Sequence, residues 1–192
     1  MKEARKTIKA HIFAVHAGCG KSTLAKKYKN VLDIESSPLV YDYEELFSRL
    51  NIAVRDEAHK RELYEQLKGR GERLPNPNFP ANYISAIREN MDKYDYIFIW
   101  ANPRLLDHLV TCPDIDYKII APKESCAEIY YKRFIDRGNS PEWAKRISGT
   151  FGEQLERLEK YNKATIMFDG DETLESYLTA REEYPRLVPK VN

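Results

Sequence analysis

The sequence predicts an α/β protein built on a five-stranded parallel sheet with helices on both faces. Short apolar runs alternate along the chain with longer segments of helical spacing, the order that closes into a parallel sheet. The first of these runs, Ile12-Phe13-Ala14-Val15, passes through the turn Gly18-Cys19-Gly20 into the helical composition of Thr23-Leu24-Ala25-Lys26-Lys27-Tyr28. The length of 192 residues fits one domain with its own core, and leaves room for an inserted lobe.

Composition narrows the class. A hydrophobic fraction of 42% beside a charged fraction of 32% describes a soluble globular chain. Lys plus Arg number 31 against 30 Asp plus Glu, a formal charge of +1. That balance carries no footprint for tight nonspecific binding to nucleic acid and leaves only a local basic patch open. Cys19, Cys112 and Cys126 have no metal or redox spacing, and their odd count argues against a disulfide framework. This fits a reducing cytoplasm. The charged stretch Met1 to Thr7 leads only into the first strand, so no signal peptide is expected. No apolar stretch reaches transmembrane length, so no membrane partner is expected either. The thirteen tyrosines are scattered, which points to packing with a wet hydroxyl.

Taken in order, the first strand is expected from about Ile8 to Val15 and the next helix to about Lys29. Between them lies Val15-His16-Ala17-Gly18-Cys19-Gly20-Lys21-Ser22-Thr23. A strand, a glycine-bearing turn and a helix start are the setting of a phosphate-binding loop, G-x-x-x-x-G-K-[ST], with Val15 here in the place of the first glycine. Gly18 and Gly20 allow backbone conformations in which successive N–H groups, that of Cys19 included, wrap an anion. The helix start would add its unsatisfied N–H groups. Lys21 would reach the β- and γ-phosphates, and Ser22 would ligate Mg²⁺. The competing reading is an ordinary glycine turn leading into a helix.

Alternation in Val31-Leu32-Asp33-Ile34-Glu35-Ser36-Ser37 sets Leu32 and Ile34 against Asp33 and Glu35. Ligands bind at the carboxyl ends of strands in such sheets. Asp33 is therefore a candidate general base or Mg²⁺-linked carboxylate, and Glu35 a second candidate nearer the substrate. A polar strand end feeding an exposed loop would explain Asp33 equally well and fits Glu35 better.

From Tyr41 to Arg70 the chain is charged, with Leu46, Leu50, Val54, Leu63, Tyr64 and Leu67 at helical spacing. This reads as two helices packing lightly on the sheet, a helical insertion over about 41–75 that could cover a substrate. The stretch from Gly69 to Pro80, with three prolines, is a loop. Its Arg70 and Arg73 fit surface solvation better than substrate binding. A helix from Ala81 to Lys93, with Tyr83, Ile84, Ile87 and Met91 buried, leads to the apolar strand Tyr94 to Trp100. Many phosphate-loop enzymes end this strand in an aspartate that helps hold Mg²⁺. Trp100-Ala101-Asn102-Pro103-Arg104 stands there instead, and Asp95 lies at the wrong end. Asn102 and Arg104 could meet substrate, or Arg104 could serve only the helix start that follows.

A helix from Pro103 to about Thr111 carries His108, read as a surface residue, and a strand follows over Tyr117 to Ala121. A long helix is expected from Lys123 to Arg137, stopped by Gly138. Arg133 and Arg137, spaced i, i+4, share one helical face and could clamp a phosphoryl group. Beside a phosphate loop that reading outweighs an exposed basic face. Ser140-Pro141 restarts a helix expected to reach about Asn162. A strand from Ala164 to Phe168 and a helix from Glu172 to Arg181 complete the alternation. The tail beyond Tyr184 is expected to be loosely held. The insertion and the helices over about 123–162 would serve as substrate and lid lobes.

Four stretches together resemble the nucleoside and nucleotide kinase branch of P-loop NTPases, especially small phage-encoded adenylate kinase-like members. They are Gly18 to Thr23, Leu32 to Ser37, Asn78 to Ile84 before Tyr94-Asp95-Tyr96-Ile97, and Tyr131-Lys132-Arg133 through Arg137-Gly138-Asn139-Ser140. The resemblance implies the P-loop NTPase fold and ATP- and Mg²⁺-dependent transfer of a γ-phosphoryl group to a small acceptor. The commonest such acceptor is a nucleoside monophosphate. It places Lys21 and Ser22 at the phosphate and metal positions and Arg133 and Arg137 at the lid arginines. The Asp-Gly-Phe-Pro-Arg element of adenylate kinases is replaced by Ala101-Asn102-Pro103-Arg104, which argues against adenine as the acceptor base. Two rival expectations stay open. One is a kinase acting on DNA or RNA, at a 5′-hydroxyl or a hydroxymethylated pyrimidine. The other is a nucleotide-binding ATPase or regulatory module with no acceptor.

Overall fold

The computed structural model describes residues 9–67, 74–161 and 163–191. The chain forms two compact units, one of residues up to Ile34 together with Arg88 onward, the other Glu35–Ile87. The strands are β1 (His11–Val15), β2 (Val31–Asp33), β3 (Tyr96–Trp100), β4 (Tyr117–Pro122) and β5 (Thr165–Phe168). The helices, in chain order, begin with α1 (Lys21–Lys27), α2 (Ser37–Val40), α3 (Tyr43–Arg49), α4 (Glu57–Leu67) and α5 (Ala81–Arg88). They continue with α6 (Pro103–Leu109), α7 (Ala127–Asp136), α8 (Pro141–Ser148), α9 (Phe151–Glu159) and α10 (Leu174–Thr179).

The five strands form one parallel sheet in the order β2-β3-β1-β4-β5. β1 is central, with Val15 opposite Trp100 on one side and Ile120 on the other. Successive residues Ile12 to Val15 on β1 and Tyr96 to Ile99 on β3 are all buried. Neighbours along a strand point to opposite faces, so both faces of the sheet centre are covered, as the continuous apolar runs predict. The chain leaves β1 toward one edge and later crosses to β4 on the other side. The carboxyl end of β1 is therefore a topological switch point, where such sheets bind ligands.

Most elements form where the pattern places them, and the departures have local causes. Tyr28 turns extended and bridges to Pro189, so α1 ends at Lys27 rather than near Lys29. After α5 the chain turns so that Met91, still buried, accepts from the Ala10 N–H. The expected helix from Lys123 begins instead as a 3-10 turn over Glu124–Cys126, because the Lys123 N–H is held by Phe168 O beside β4. The single helix expected from Pro141 is two, broken at Gly149-Thr150. There the Thr150 hydroxyl bonds Arg146 O and Ile147 O, and the restart turns Phe151 into the core. Ser140 caps α8 and Gly138, at φ 84°, ends the preceding segment as expected. Ile8 and Asn162 lie outside the described residues.

The tail is the clear correction. Tyr184 is buried against the rings of His11, Phe13, Tyr96 and Tyr177. Beyond it the Lys29 N–H donates to Val188 O, and the Val188 N–H to Asn30 Oδ1. The Lys190 N–H and ammonium reach Lys27 O and Ala25 O, carbonyls that the end of α1 would otherwise leave unpaired. Two prolines suggested looseness, yet the Pro185 carbonyl accepts from the Tyr96 hydroxyl, and the residues on either side of Pro189 make the bonds there.

The second unit has a core of its own, Tyr43, Leu46, Phe47 and Leu63, with Tyr64 stacked on Phe47. α2 was not expected, since Ser36-Ser37 reads as a loop, but Pro38 sits in its first turn, where its missing N–H costs nothing. Leu50 and Val54 are exposed, so the helical spacing overstated this core. Arg70 and Arg73, with the rest of 68–73, lie outside the described residues. No helix among the described residues is long and apolar enough to cross a membrane.

The packing of Tyr184 predicts that Tyr184→Ala lowers unfolding free energy by ~3 kcal/mol in chemical denaturation, as for other buried aromatic truncations. A loss below ~1 kcal/mol, the level of a surface change, would mean that the tail is held loosely after all.

Candidate functional site

The turn after β1 is shaped by two glycines with different reasons to be glycine. Gly18 and Gly20 have φ of 90° and 101°, where a side chain is strained. At Gly20 a Cβ would meet nothing within 4 Å, so backbone conformation alone requires it. At Gly18 a Cβ would lie 2.7 Å from Tyr130 Cδ1 and 3.1 Å from Phe134 Cε1. Helix α7 is thus seated directly on the turn. The Tyr130 hydroxyl lies 3.2 Å from Cys19 Sγ, fixing the same contact from the other side.

Lys21, the first residue of α1, sends its side chain back across the turn to Val15 O at 3.3 Å. Val15 is still the last residue of β1 and fully buried, so glycine is not needed there. Ser22, also on the first turn of α1, donates from its hydroxyl to Asp33 Oδ2 at 2.7 Å. Asp33 is the last residue of β2, and this bond joins two of the residues singled out in the sequence. Thr23 is exposed.

Two arginines lie on α7 and its end. The Arg133 guanidinium stacks over the Tyr130 ring at 4.7 Å and lies 3.7 Å from Asp171 Oδ1. Its Nη1 is buried and has no hydrogen-bond partner among the described residues. Arg137 follows one turn later and is exposed. Burial pushes the Cys19 thiol up to about 11, while the Tyr130 hydrogen bond, Lys21, Arg133 and Arg137 pull it down. The structure therefore brings Lys21, Arg133 and Arg137 within electrostatic reach of one loop atom. The thiol itself stays protonated and inert at neutral pH.

Asn102 and Arg104 follow β3 at its carboxyl end, beside the turn, where the Ala101 N–H donates to Val15 O. Asn102 accepts from the Arg104 N–H and so caps α6, while the Arg104 side chain is exposed. Glu35 belongs to the second unit, where its carboxylate accepts from the Ser37 N–H at the start of α2. Asp95 bonds Asn30 before β3 begins, away from the strand's carboxyl end. His108 is exposed, and Cys19, Cys112 and Cys126 are all free thiols.

Sequence reading passed over His16 and Gln154. His16, second in the loop, is buried, with Nδ1 2.8 Å from Ala17 O and Nε2 2.5 Å from Gln154 Oε1. The edge of its ring meets Phe151 at 4.9 Å between centroids. Burial lowers the His16 pKa, opposed by the Ala17 and Gln154 bonds and aided by Lys21. Gln154 in turn bonds Thr150 Oγ1 and Ile147 O at the α8–α9 break. Its partner lies 138 positions away in sequence, so only the i, i+4 pairing of Thr150 with Gln154 was visible in the sequence.

No protein-family model matches the chain, and no curated protein matches it at a significant level. The site therefore rests on its own geometry.

The two glycines give a discriminating test. Gly20→Ala should cost ~1–2 kcal/mol from backbone strain alone. Gly18→Ala adds a clash with Tyr130 and should cost ~3 kcal/mol or more. Equal losses in denaturation would show that α7 is not seated on the turn.

Proposed function

We propose that the protein is a phosphotransferase with a P-loop between β1 and α1. It binds ATP with Mg²⁺ and moves the γ-phosphoryl group to a small acceptor, a ribo- or deoxynucleoside monophosphate. The observation that carries this reading is the loop: two left-handed glycines at the end of the central strand, closed by Lys21 reaching back to Val15 O. Such a turn presents successive N–H groups to one anion. The buried Arg133 Nη1 supports the same ligand class, since a guanidinium nitrogen with no acceptor among the described residues suits a phosphate oxygen.

Ser22 and Asp33 fit Mg²⁺. Both are hard oxygen donors, and their 2.7 Å separation is close to the ~2.9 Å between neighbouring oxygens in an octahedron with ~2.05 Å bonds. Two protein oxygens are enough, because Mg²⁺ keeps waters and takes phosphate oxygens as its other ligands. When bound, Mg²⁺ would offset charge on the phosphates. The carboxylate comes from β2 because β3 ends in Trp100, and Asn102 beyond it is committed to capping α6.

In this reading the loop N–H groups and Lys21 hold the phosphates. Arg133 and Arg137 donate to the transferring group, where negative charge spreads over its oxygens. Asp33 accepts the proton if the acceptor is a hydroxyl; a monophosphate acceptor requires no base.

The test is transfer of labelled γ-phosphate from ATP across nucleoside monophosphates, nucleosides, 5′-hydroxyl oligonucleotides and DNA with hydroxymethylated pyrimidines. A labelled nucleoside diphosphate is expected. Labelled DNA would shift the acceptor to nucleic acid, and label released only as inorganic phosphate would leave an ATPase or binding module. Lys21→Ala should cut transfer by ~10²-fold or more with its circular dichroism intact, and near-normal turnover would remove the loop from the chemistry. Asp33→Asn should lower kcat more than it weakens ATP binding; unchanged kinetics would return Asp33 to a structural role.

A further inference from the structure

The polar contact between His16 and Gln154 is not explained by phosphate binding, and it connects parts of the site that the loop alone does not. His16 belongs to the turn that carries Gly18 and Lys21. Gln154 is on the first turns of α9, fixed by Thr150 Oγ1 at 2.5 Å and by Ile147 O at the end of α8. α8 packs against α7 through Trp143 on Phe134, with ring centroids 5.0 Å apart, and α7 carries Arg133. A continuous path of bonded and packed groups thus runs from the loop to the arginine helix by way of the α8–α9 break. Phe151, packed on the His16 ring and on the Tyr130 ring at 5.3 Å between centroids, joins this path to the contact of Tyr130 with Gly18.

The pair is buried and specific in direction. His16 is 6% exposed, and Phe151 closes one side of its ring. A neutral imidazole has one N–H for the two oxygens it faces. With Gln154 Nε2 donating to Thr150 Oγ1 and Ile147 O, it is Gln154 Oε1 that faces His16 Nε2. A neutral ring donates Nε2–H to Gln154 Oε1, and the imidazolium donates from Nδ1 to Ala17 O as well. In either state the loop, α9 and the Thr150 break share one polar connection, and removing one member leaves a buried polar group without a partner.

We propose that His16 and Gln154 are positioning residues: their contact holds the α8–α9 break against the phosphate loop and so adds to the Gly18–Tyr130 contact in placing the arginines of α7, on which the rate of phosphoryl transfer depends. This rests on the phosphotransferase reading above. Neither side chain reaches the reacting atoms in this role. Nucleotide binding depends on the loop N–H groups and Lys21, so the contact should matter for kcat and little for the KM of ATP.

The experiment compares wild type, Gln154→Leu and the double variant His16→Phe with Gln154→Leu. Replacing both partners by apolar groups of similar shape leaves neither half of the contact unpaired. Thr150 Oγ1 still bonds Ile147 O, and Ala17 O, on a half-buried residue, loses its partner, so the double variant should melt nearer wild type than Gln154→Leu does. Both variants are expected to lose kcat by ~10- to 100-fold, the scale of an ångström misplacement, with the KM for ATP within about threefold of wild type. Recovery of wild-type kcat by the double variant would reduce the pair to a stabilising contact and overturn the proposal. A second readout needs no turnover: amide exchange across Ser148 to Gln154, at the α8–α9 break, should quicken about tenfold in the double variant while that of β1 and β3 holds. Unchanged exchange at the break would overturn the proposal whatever the kinetics. If wild type labels no acceptor, the phosphotransferase reading falls, and the contact is judged on exchange alone.

Discussion

The site depends on a close approach that only glycine permits. The Tyr130 ring occupies the space where a side chain on residue 18 would be, so α7 rests on the turn with only its own Tyr130 and Phe134 rings between them. Arg133 lies one turn beyond Tyr130 on the same helix, and Arg137 one turn beyond that. Lifting α7 by the thickness of a methyl group would carry both arginines away from the loop. The hydrogen-bond contact of Tyr130 with Cys19 and the packing of Phe134 on the same glycine hold the helix down from two sides. Backbone shape at one residue thus determines where the charges of another element fall.

Those charges are of one sign, which sets a tension in the fold. Lys21, Arg133 and Arg137 all act on the Cys19 thiol, and an exposed Asp171 is a distant counterion for Arg133. Gathering cations around a partly buried turn costs stability through repulsion and desolvation. An anion bound there relieves both, so ligand binding and stability are linked. The arrangement resembles others in which a site keeps features that would be removed if stability alone were selected.

Much of this was legible in the sequence, and the reasons differ by residue. The strand runs were readable because a doubly covered parallel strand must be apolar throughout, as Tyr96 to Ile99 are. Gly18, Lys21, Ser22 and Asp33 stood out because their chemistry is local or lies at a strand end. Helix limits were less legible, because tertiary bonds set them: Phe168 O delays the start of α7, and the Thr150 hydroxyl breaks α8 from α9. The role of Gly18 as a contact point could not be read from spacing, since Tyr130 is 112 residues away in numbering. His16 and Gln154 were invisible for the same reason. The tail was misjudged because proline content speaks of local stiffness and not of the partners its neighbours find.

That tail also has a bearing on the order of events as the chain is made. Val188 bonds Asn30 across 158 positions, and Lys190 reaches Ala25 across 165. Contacts of such separation carry a large closure entropy and form only after the intervening chain has organised. During synthesis from the N-terminal end, α1 therefore emerges early but has its last carbonyls paired only once residue 190 has cleared the ribosome. Until then the helix that follows the loop is frayed at its far end, so the nascent chain acquires a rigid site only after residue 190 has been made.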